Sequence, residues 1–304
     1  MRIVLIGQAA FAEKVLERTV KDGDEVVGVY TIPDAPARAN PLKELALKVG
    51  IPVFQPPRMR APEVFTNYVK LKAELNVMAF VTDIVPESIL NHPKHGTIQY
   101  HPSLLPRHRG GSSINWAIIK GETVTGLTIF WPDKGLDTGP ILLQKEVEIM
   151  PDDTVGSLYF NKLFPMGVEA ISESITLIRK GKAPKIPQDE SQATYEGLCT
   201  EKEAIINWGK PVREVYNLIR GTNPQPGATT SYRGAEFKVF DCTMINTPLG
   251  SAPGTVISVT EQGFTVALKD GAITVKRAQT KGASKIDANA FAEQIFLQVT
   301  SKLG

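Results

Sequence analysis

Short, continuously apolar segments alternate with amphipathic ones over the first hundred residues of the chain. Residues 2–7 and 75–81 are apolar on both faces, as central strands of a parallel sheet are when helices cover both sides. Between residues 2–7 and the next apolar segment, 25–30, residues 9–21 carry apolar side chains at helical spacing. This strand–helix–strand order predicts an α/β fold with a doubly wound, mostly parallel sheet.

The turn after the first predicted strand lacks the glycine pattern of dinucleotide-binding folds. That pattern, G-x-G-x-x-G, lets the backbone approach a pyrophosphate closely at the start of a helix. Here Gly7 is the only glycine in the turn. We therefore expect the sheet to carry no nicotinamide or flavin cofactor.

The pattern of apolar residues changes near residue 205. Before that point, strands are predicted at 96–100, 124–131 and 141–149, a long helix at 155–180, and a proline- and charge-rich surface linker at 183–192. After it, a helix at 212–220 precedes short alternating segments, as in a small β-barrel or sandwich. The predicted domains are therefore 1–204 and 205–304.

Composition and charge exclude several classes of protein. The chain has 304 residues, 42% hydrophobic and 22% charged, and a net charge of +2 that is too small to indicate nonspecific binding to nucleic acid or to a membrane surface. No apolar run approaches the length of a membrane span. Two distant cysteines, Cys199 and Cys242, and an N-terminus unlike a signal peptide favour reduced thiols in a cytoplasmic protein.

Two loops carry the residues best suited to catalysis. Residues 99–111 read QYHPSLLPRHRGG and place His101 just past a predicted strand, and residues 135–140 read GLDTGP and contain Asp137. An isolated histidine more often bonds a backbone carbonyl in the core, and an aspartate between glycines often caps its own turn. The stiff loop beside a strand end favours catalysis instead, because an imidazole and a carboxylate at neighbouring strand ends can act as an acid–base pair.

Other chemistries find little support in the sequence. The four histidines lack the accompanying cysteines or carboxylates of a zinc site, so no metal is predicted. Ser103 lacks the glycine frame of a hydrolase nucleophile. Arg107 and Arg109 fit an anion site and solvated loop charges equally well.

Together these motifs resemble those of the 10-formyltetrahydrofolate-dependent formyltransferases. The resemblance rests on residues 101–106, Arg109-Gly110 and residues 135–139, and it is strongest to the amino-terminal hydrolase domain of 10-formyltetrahydrofolate dehydrogenase through residues 114–116, 130–131, 193–197 and 206–208. It covers essentially the whole chain. It implies a Rossmann-like formyltransferase domain and a smaller carboxy-terminal OB-like β-barrel similar to that of methionyl-tRNA formyltransferase.

The resemblance implies roles for three residues. His101 would donate to the oxyanion that forms when a nucleophile attacks the formyl carbon, and Asp137 would keep that imidazole protonated or take a proton through water. Gln99 stands where the wider family has an asparagine as a second donor. Its side chain is longer by about 1.5 Å, one carbon–carbon bond, which counts against efficient transfer to an amine.

The resemblance also implies where the folate binds. The pterin would lie against the strand end and loop at residues 80–85, where backbone groups can bind its polar edge, and apolar side chains would form the walls. The predicted folate-binding residues are Phe80, Val81, Asp83, Ile84, Val85, Leu104, Leu105 and Leu136. The formyl donor would be 10-formyltetrahydrofolate, with no metal and no nicotinamide.

The formyl acceptor stays open between water, methionyl-tRNA and an amino-sugar. Methionyl-tRNA formyltransferases carry a basic insertion after the second strand, whereas residues 31–41 here contain one arginine, Arg38. From residue 206 onward, eleven Lys or Arg against seven Asp or Glu are compatible with tRNA without favouring it, and residues 279–291 resemble the tail of the tRNA enzymes.

The predicted function is therefore formyl transfer or formyl hydrolysis, with tetrahydrofolate as product. Methionyl-tRNA formyltransferase is the alternative within the family. No aldehyde dehydrogenase segment follows, so coupled oxidation is not expected. A folate-binding sensor with a weakened site is the alternative from another class, motivated by Gln99. The oligomeric state does not follow from the sequence.

Overall fold

The computed structural model describes residues 1–36 and 39–304, so Arg38 lies outside the described residues. The chain forms two compact units. The first consists of Met1–Gly110, Gly126–Val147 and Asn161–Tyr195, and the second of Gly111–Thr125, Glu148–Phe160 and Glu196–Gly304. The predicted division into 1–204 and 205–304 stays a prediction. In the described part of the chain, no helix is both long and apolar enough to span a bilayer.

The first unit is built on a seven-stranded sheet. Its strands are β1 (Arg2–Gly7), β2 (Glu25–Tyr30), β3 (Val53–Phe54), β4 (Leu75–Ala79), β5 (Thr97–His101), β6 (Val124–Phe130) and β7 (Ile141–Glu148), in the spatial order β3-β2-β1-β4-β5-β6-β7. The pairs from β3 through β5 are parallel, and β5 and β6 are antiparallel. This confirms the predicted α/β fold with a mostly parallel sheet.

In the described chain, helices lie between successive strands from β1 to β6 and also follow β7. They are α1 (Ala9–Lys21), α2 (Pro41–Lys48), α3 (Pro62–Tyr68), α4 (Glu87–Leu90), α5 (Ser113–Ile119), α6 (Val155–Leu158) and α7 (Phe164–Arg179). The helix predicted at 155–180 is interrupted by a π-helical turn, Tyr159–Leu163. Pro165 lies in the first turn of α7 and has no amide hydrogen for the α-helical bond, which accounts for a break at this point.

Gly7 serves the packing of the sheet. A Cβ added there would lie 2.3 Å from the carbonyl oxygen of Ala79 on the neighbouring strand. Strand β1 has β2 on one side and β4 on the other, so the strand order reverses at this strand. Open α/β sheets bind ligands outside the carboxyl ends of strands at such a reversal. The single glycine is therefore explained by the close approach of two backbones.

The second unit contains an antiparallel β domain. Helix α8 (Val212–Gly221) precedes β8 (Ala228–Tyr232), β9 (Ala235–Ile245), β10 (Val256–Thr260), β11 (Gly263–Ala267), β12 (Ala272–Thr280), β13 (Ile286–Asp287) and α9 (Ala288–Gln294). The strand order is β10-β11-β12-β9-β8, with β13 paired to β12. Closure into an OB-like barrel stays a prediction. Strand β8 and helix α9, whose Phe291 packs into the core of this domain, were not predicted from the sequence.

We predict that Gly7→Ala lowers the stability of the first unit by about 1–3 kcal/mol, because the added methyl must push two strands apart. Urea and thermal unfolding measure the change, and a shift of roughly 2–4 °C in Tm per kcal/mol is expected. Gly197→Ala is the control, since a methyl there meets no atom within 4 Å. Equal stability of the two variants would contradict the packing role of Gly7.

Candidate active site

His101 and Asp137 lie side by side in the first unit. His101 is the last residue of β5, and its Nδ1 is 3.5 Å from Oδ2 of Asp137. Both side chains are buried, with 7% and 8% of their surfaces exposed. The two residues singled out in separate loops of the sequence are thus brought together, while their catalytic roles stay predictions.

The second ring nitrogen of His101 also faces an oxygen. Its Nε2 is 2.8 Å from the carbonyl oxygen of His108, a bond of the kind that buried histidines commonly make. A neutral imidazole has one N–H, so it can donate to one of the two oxygens at a time. Donation toward both oxygens at once requires an N–H on each ring nitrogen.

The loop that carries Asp137 holds its carboxylate in place. Oδ2 of Asp137 accepts a hydrogen bond of 2.8 Å from the amide of Gly110, and Asp137 has a left-handed backbone with φ of +56°. The turn itself is capped by a different residue, because Oδ1 of Asp133 accepts from the amide of Gly135 and the hydroxyl of Thr138. Asp137 therefore joins the two loops instead of capping its own turn.

A cleft of about 510 Å³ opens at the carboxyl ends of β4 and β5. Five of the eight predicted folate-binding residues line it, together with Gln99 and Asp137; the five are Val81, Asp83, Ile84, Val85 and Leu136. Ile84 and Leu136 are largely exposed apolar side chains. Exposed apolar groups beside a cleft of this size suit a flat heterocycle. His101 is not among the lining residues and meets the cleft through Asp137.

The structure does not bring Phe80, Leu104 and Leu105 to this cleft. Phe80 has a left-handed backbone, with φ of +60°, and lines a small adjoining pocket of about 60 Å³ beside Gly7, which shares residues 81–83 with the cleft. Leu105 is buried and its amide donates to the hydroxyl of Thr128, while Leu104 packs against Gly126. The sequence identified the loops correctly, but backbone turns within them decide where each side chain points.

Gln99 and Asp83 differ in whether their side-chain hydrogen-bonding groups are already used within the protein. The side-chain amide of Gln99 lines the cleft and makes no hydrogen bond within residues 1–36 and 39–304, so it is available to a ligand. Both carboxylate oxygens of Asp83 accept backbone hydrogen bonds, from Met59 at 2.7 Å and from Ile84 at 2.9 Å. Asp83 thus shapes the loop that lines the cleft.

Arg109 takes neither of the two roles considered from the sequence. Its side chain is 1% exposed, and its guanidinium makes five hydrogen bonds. Two go to Oε1 of Gln188, two to the carboxylate of Glu190 and one to the hydroxyl of Tyr195. All five N–H donors are used, so this guanidinium is a structural group and not an anion site.

Gln188 links Arg109 to the loop that carries Asp137. Its amide nitrogen donates to the carbonyl oxygens of Asp137 at 2.8 Å and Gly139 at 2.7 Å. The hydroxyl of Thr194 accepts from the amide of His108, so the segment 186–195 binds both loops. The sequence predicted this region as a surface linker, and no local pattern in it pointed to Gln188.

No group of three or more His, Cys, Asp or Glu side chains in the described chain is placed to hold a metal ion. The site is thus a buried imidazole–carboxylate pair beside an apolar cleft, at the carboxyl edge of an α/β sheet. That combination is typical of sites that carry out acid–base chemistry.

Comparison with known proteins identifies the family. The family model described as formyl transferase matches residues 1–175, and the model of the formyl transferase C-terminal domain matches residues 199–295. The chain belongs to the formyl transferase family, as the sequence motifs predicted.

Curated relatives include proteins of two kinds. Cytosolic 10-formyltetrahydrofolate dehydrogenase of Mus musculus is 49% identical over 249 residues, which are 80% of this chain and 28% of that protein. The chain thus spans less than a third of the length of that relative. Methionyl-tRNA formyltransferase of Acetivibrio thermocellus is 38% identical over 298 residues, 96% of each chain.

Solved structures share the fold at low sequence identity. HypX from Aquifex aeolicus in complex with tetrahydrofolic acid has a TM-score of 0.72 at 18% identity, covering 99% of this chain and 48% of that one. The sugar 3N-formyl transferase WlaRD has a TM-score of 0.70 at 20% identity, covering 93% of this chain and 99% of that one.

We predict that Arg109→Met destabilises the first unit by about 1–3 kcal/mol, because the half-buried Oε1 of Gln188 loses both of its hydrogen-bond donors. Urea unfolding measures the loss. Glu190→Gln is the matched control, since that side chain is mostly exposed and its amide keeps an acceptor for Arg109. A loss in the control as large as in Arg109→Met would contradict the central place of the guanidinium.

Proposed function

We propose that this chain moves the formyl group of 10-formyltetrahydrofolate to water or to an amine acceptor and releases tetrahydrofolate. The observation that carries the proposal is the contact between His101 and Asp137 at 3.5 Å, beside a cleft that Gln99 and Asp137 line, in a member of the formyl transferase family. The folate is the formyl donor itself, so the reaction as proposed uses neither a metal nor a nicotinamide.

The cleft supplies the donor site. The apolar side chains of Val81, Ile84, Val85 and Leu136 form walls for the pterin, and the backbone of residues 81–85 offers hydrogen bonds to its polar edge. Asp83 contributes by holding this loop through the amides of Met59 and Ile84. Phe80, Leu104 and Leu105 have no part in the proposed site.

The chemistry is an acyl transfer. The nucleophile attacks the formyl carbon, the carbonyl oxygen becomes an oxyanion, and collapse of the intermediate breaks the bond to N10 of the folate. The free amide of Gln99 donates to the oxyanion. His101 lies behind Asp137, so its Nε2–H would have to turn from the neutral carbonyl of His108 toward the charged oxygen. The bond it then donates is stronger in the transition state than in the ground state.

Asp137 handles the proton. Its carboxylate, fixed by the amide of Gly110, accepts the proton that the attacking water or amine loses, directly or through a water molecule. The same proton then reaches N10 as that nitrogen leaves. The negative charge of Asp137 also stabilises the protonated form of His101 while the oxyanion is present.

We predict that His101→Ala and Asp137→Ala each reduce the single-turnover rate of tetrahydrofolate release by about 10²–10³-fold or more, while folate binding is retained. Rapid quench with 10-formyltetrahydrofolate measures the rate, and fluorescence titration with a non-reactive folate measures binding. Near-normal turnover in either variant would refute its assigned role.

Gln99→Ala should slow the same step by about 10²–10³-fold if its amide donates to the oxyanion. Gln99→Asn should change the rate measurably, because the shorter amide reaches a different point in the cleft. Gln192→Ala removes an exposed amide outside the cleft and is the matched control. An unchanged rate in Gln99→Ala would mean that this side chain does not face the reacting oxygen.

Methionyl-tRNA is the second candidate acceptor. The relative of that name aligns over 96% of both chains, which favours a tRNA acceptor. The mouse relative has the higher identity and is named for a reaction of 10-formyltetrahydrofolate without tRNA, which favours water. The single arginine in residues 31–41 offers little to bind phosphates. The similarity to a cytosolic enzyme also supports a cytoplasmic location.

The fate of a labelled formyl group separates the acceptors. Donor carrying the label is supplied with water alone, with charged initiator tRNA, and with an amino-sugar nucleotide. Formate as the product in all three mixtures identifies a hydrolase, and label on the tRNA or sugar identifies that acceptor. Folate binding without release in any mixture would identify a folate-binding sensor instead of an enzyme.

A further inference from the structure

A second cavity, of about 310 Å³, lies in the carboxy-terminal unit. Helix α8 contributes Tyr216 and Arg220 to its lining, β9 contributes Asp241, β12 contributes Lys276, and Asp152 comes from the segment before α6. The volume corresponds to roughly ten water molecules, at the lower end of the range for small-molecule sites.

Arg220 is a buried cation whose hydrogen bonds go to neutral acceptors, with the carboxylates of Asp152 and Asp153 acting on it from a longer distance. Arg220 is 8% exposed, and the atoms that accept its hydrogen bonds are all neutral. Nε donates to Oδ1 of Asn217 at 2.9 Å, and Nη1 donates to the carbonyl oxygen of Asp153 at 3.0 Å. Within residues 1–36 and 39–304, no carboxylate forms an ion pair with this guanidinium, and a buried charge in that state is costly.

The outer nitrogen of Arg220 remains open. Nη2 has no acceptor among the described residues, and it is not sealed away from the cavity that Arg220 lines. Burial lowers the pKa of Arg220, and the charges of Asp153 and Asp152 offset part of that cost. An anion bound at Nη2 would reduce that cost and make a charge-assisted hydrogen bond.

The other charged groups of the cavity determine which anion fits. Lys276 is exposed and makes no ion pair within the described chain, so a second cation is available. Asp152 accepts from the hydroxyl of Tyr216 at 2.7 Å, and Asp241 accepts from the amide of Asn223 at 2.7 Å. These two carboxylates repel a dianion more strongly than a monoanion.

The remaining lining is uncharged. The ring of Tyr216 is the apolar group that reaches the cavity, since Ile219 has no exposed surface. Burial raises the pKa of Cys242 to about 12, so this thiol is neutral. Burial and the hydrogen bond to Asp152 raise the pKa of Tyr216, so its hydroxyl remains a donor. A ligand with one negative charge and a short apolar body matches this lining.

We propose that the cavity binds a small aliphatic monocarboxylate, with the carboxylate on Nη2 of Arg220 and the ammonium of Lys276 and the apolar body against the ring of Tyr216. The site is independent of the formyl-transfer chemistry. It can be tested on the whole chain by binding alone, so the proposed function can fail without affecting it.

The test is a titration of the ¹⁵N-labelled protein with butyrate, acetate, inorganic phosphate or butylammonium at constant pH and ionic strength. The Nε–H signal of Arg220 is expected to shift with butyrate at a Kd of about 1–10 mM, more weakly with acetate, and very little with phosphate or butylammonium. No shift of this signal with butyrate up to about 50 mM would overturn the proposal. Equal binding of phosphate would overturn the preference for a monocarboxylate.

Two variants test the residues without relying on Arg220, whose replacement endangers the fold. Lys276→Ser should weaken butyrate binding by about threefold or more, because an exposed charge pair contributes a fraction of a kcal/mol to about 1 kcal/mol. Lys269→Ser removes an exposed lysine outside the cavity and should leave the Kd unchanged. Equal Kd values in the two variants, or an equal loss in both, would contradict a carboxylate seated at Lys276.

Discussion

Asp137 can face His101 only while a left-handed turn in the 133–140 loop is held closed. A non-glycine residue in that backbone conformation costs of the order of 1–2 kcal/mol, so the turn needs support from elsewhere. The amide of Gly110 supplies it on the carboxylate side, and the amide of Gln188 supplies it at the carbonyls of Asp137 and Gly139. Gln188 is held in turn by Arg109. A buried guanidinium that touches no ligand therefore sets the geometry of the imidazole–carboxylate pair.

Local sequence patterns were enough to predict the sheet. Strands such as β1 and β4 are buried over nearly their whole length, and their mostly apolar residues predict that burial. The loops around His101 and Asp137 were also identifiable, because proline and glycine mark stiff turns and the motifs resemble a known family. Membership of that family is confirmed by the matches to both halves of the chain. The roles of the individual residues remain predictions.

The sequence could not predict where individual side chains point or which residues distant in sequence contact each other. Phe80 belongs to the predicted folate loop, but its left-handed backbone carries the side chain to the small adjoining pocket. Leu104 and Leu105 follow His101 closely in sequence, yet their side chains pack inward. Gln188 lies 79 residues from Arg109 and 51 from Asp137, and a single glutamine in a proline-rich segment has no periodicity to reveal it. Such contacts exist only once the chain has folded.

The hydrogen-bond network of Arg109, Gln188 and Glu190 extends from the protein interior to the solvent-exposed surface. Glu190 is mostly exposed, while its partner Arg109 is almost fully enclosed. The hydrogen bond from Arg109 lowers the pKa of Glu190, so folding gains from the pair above the ordinary glutamate range and loses that gain as the pH falls through the lowered pKa. Neutral solution leaves the arrangement intact. In an acidic compartment, protonation of Glu190 would weaken its bonds to Arg109. Gln188 would transmit that change to the loop that carries Asp137.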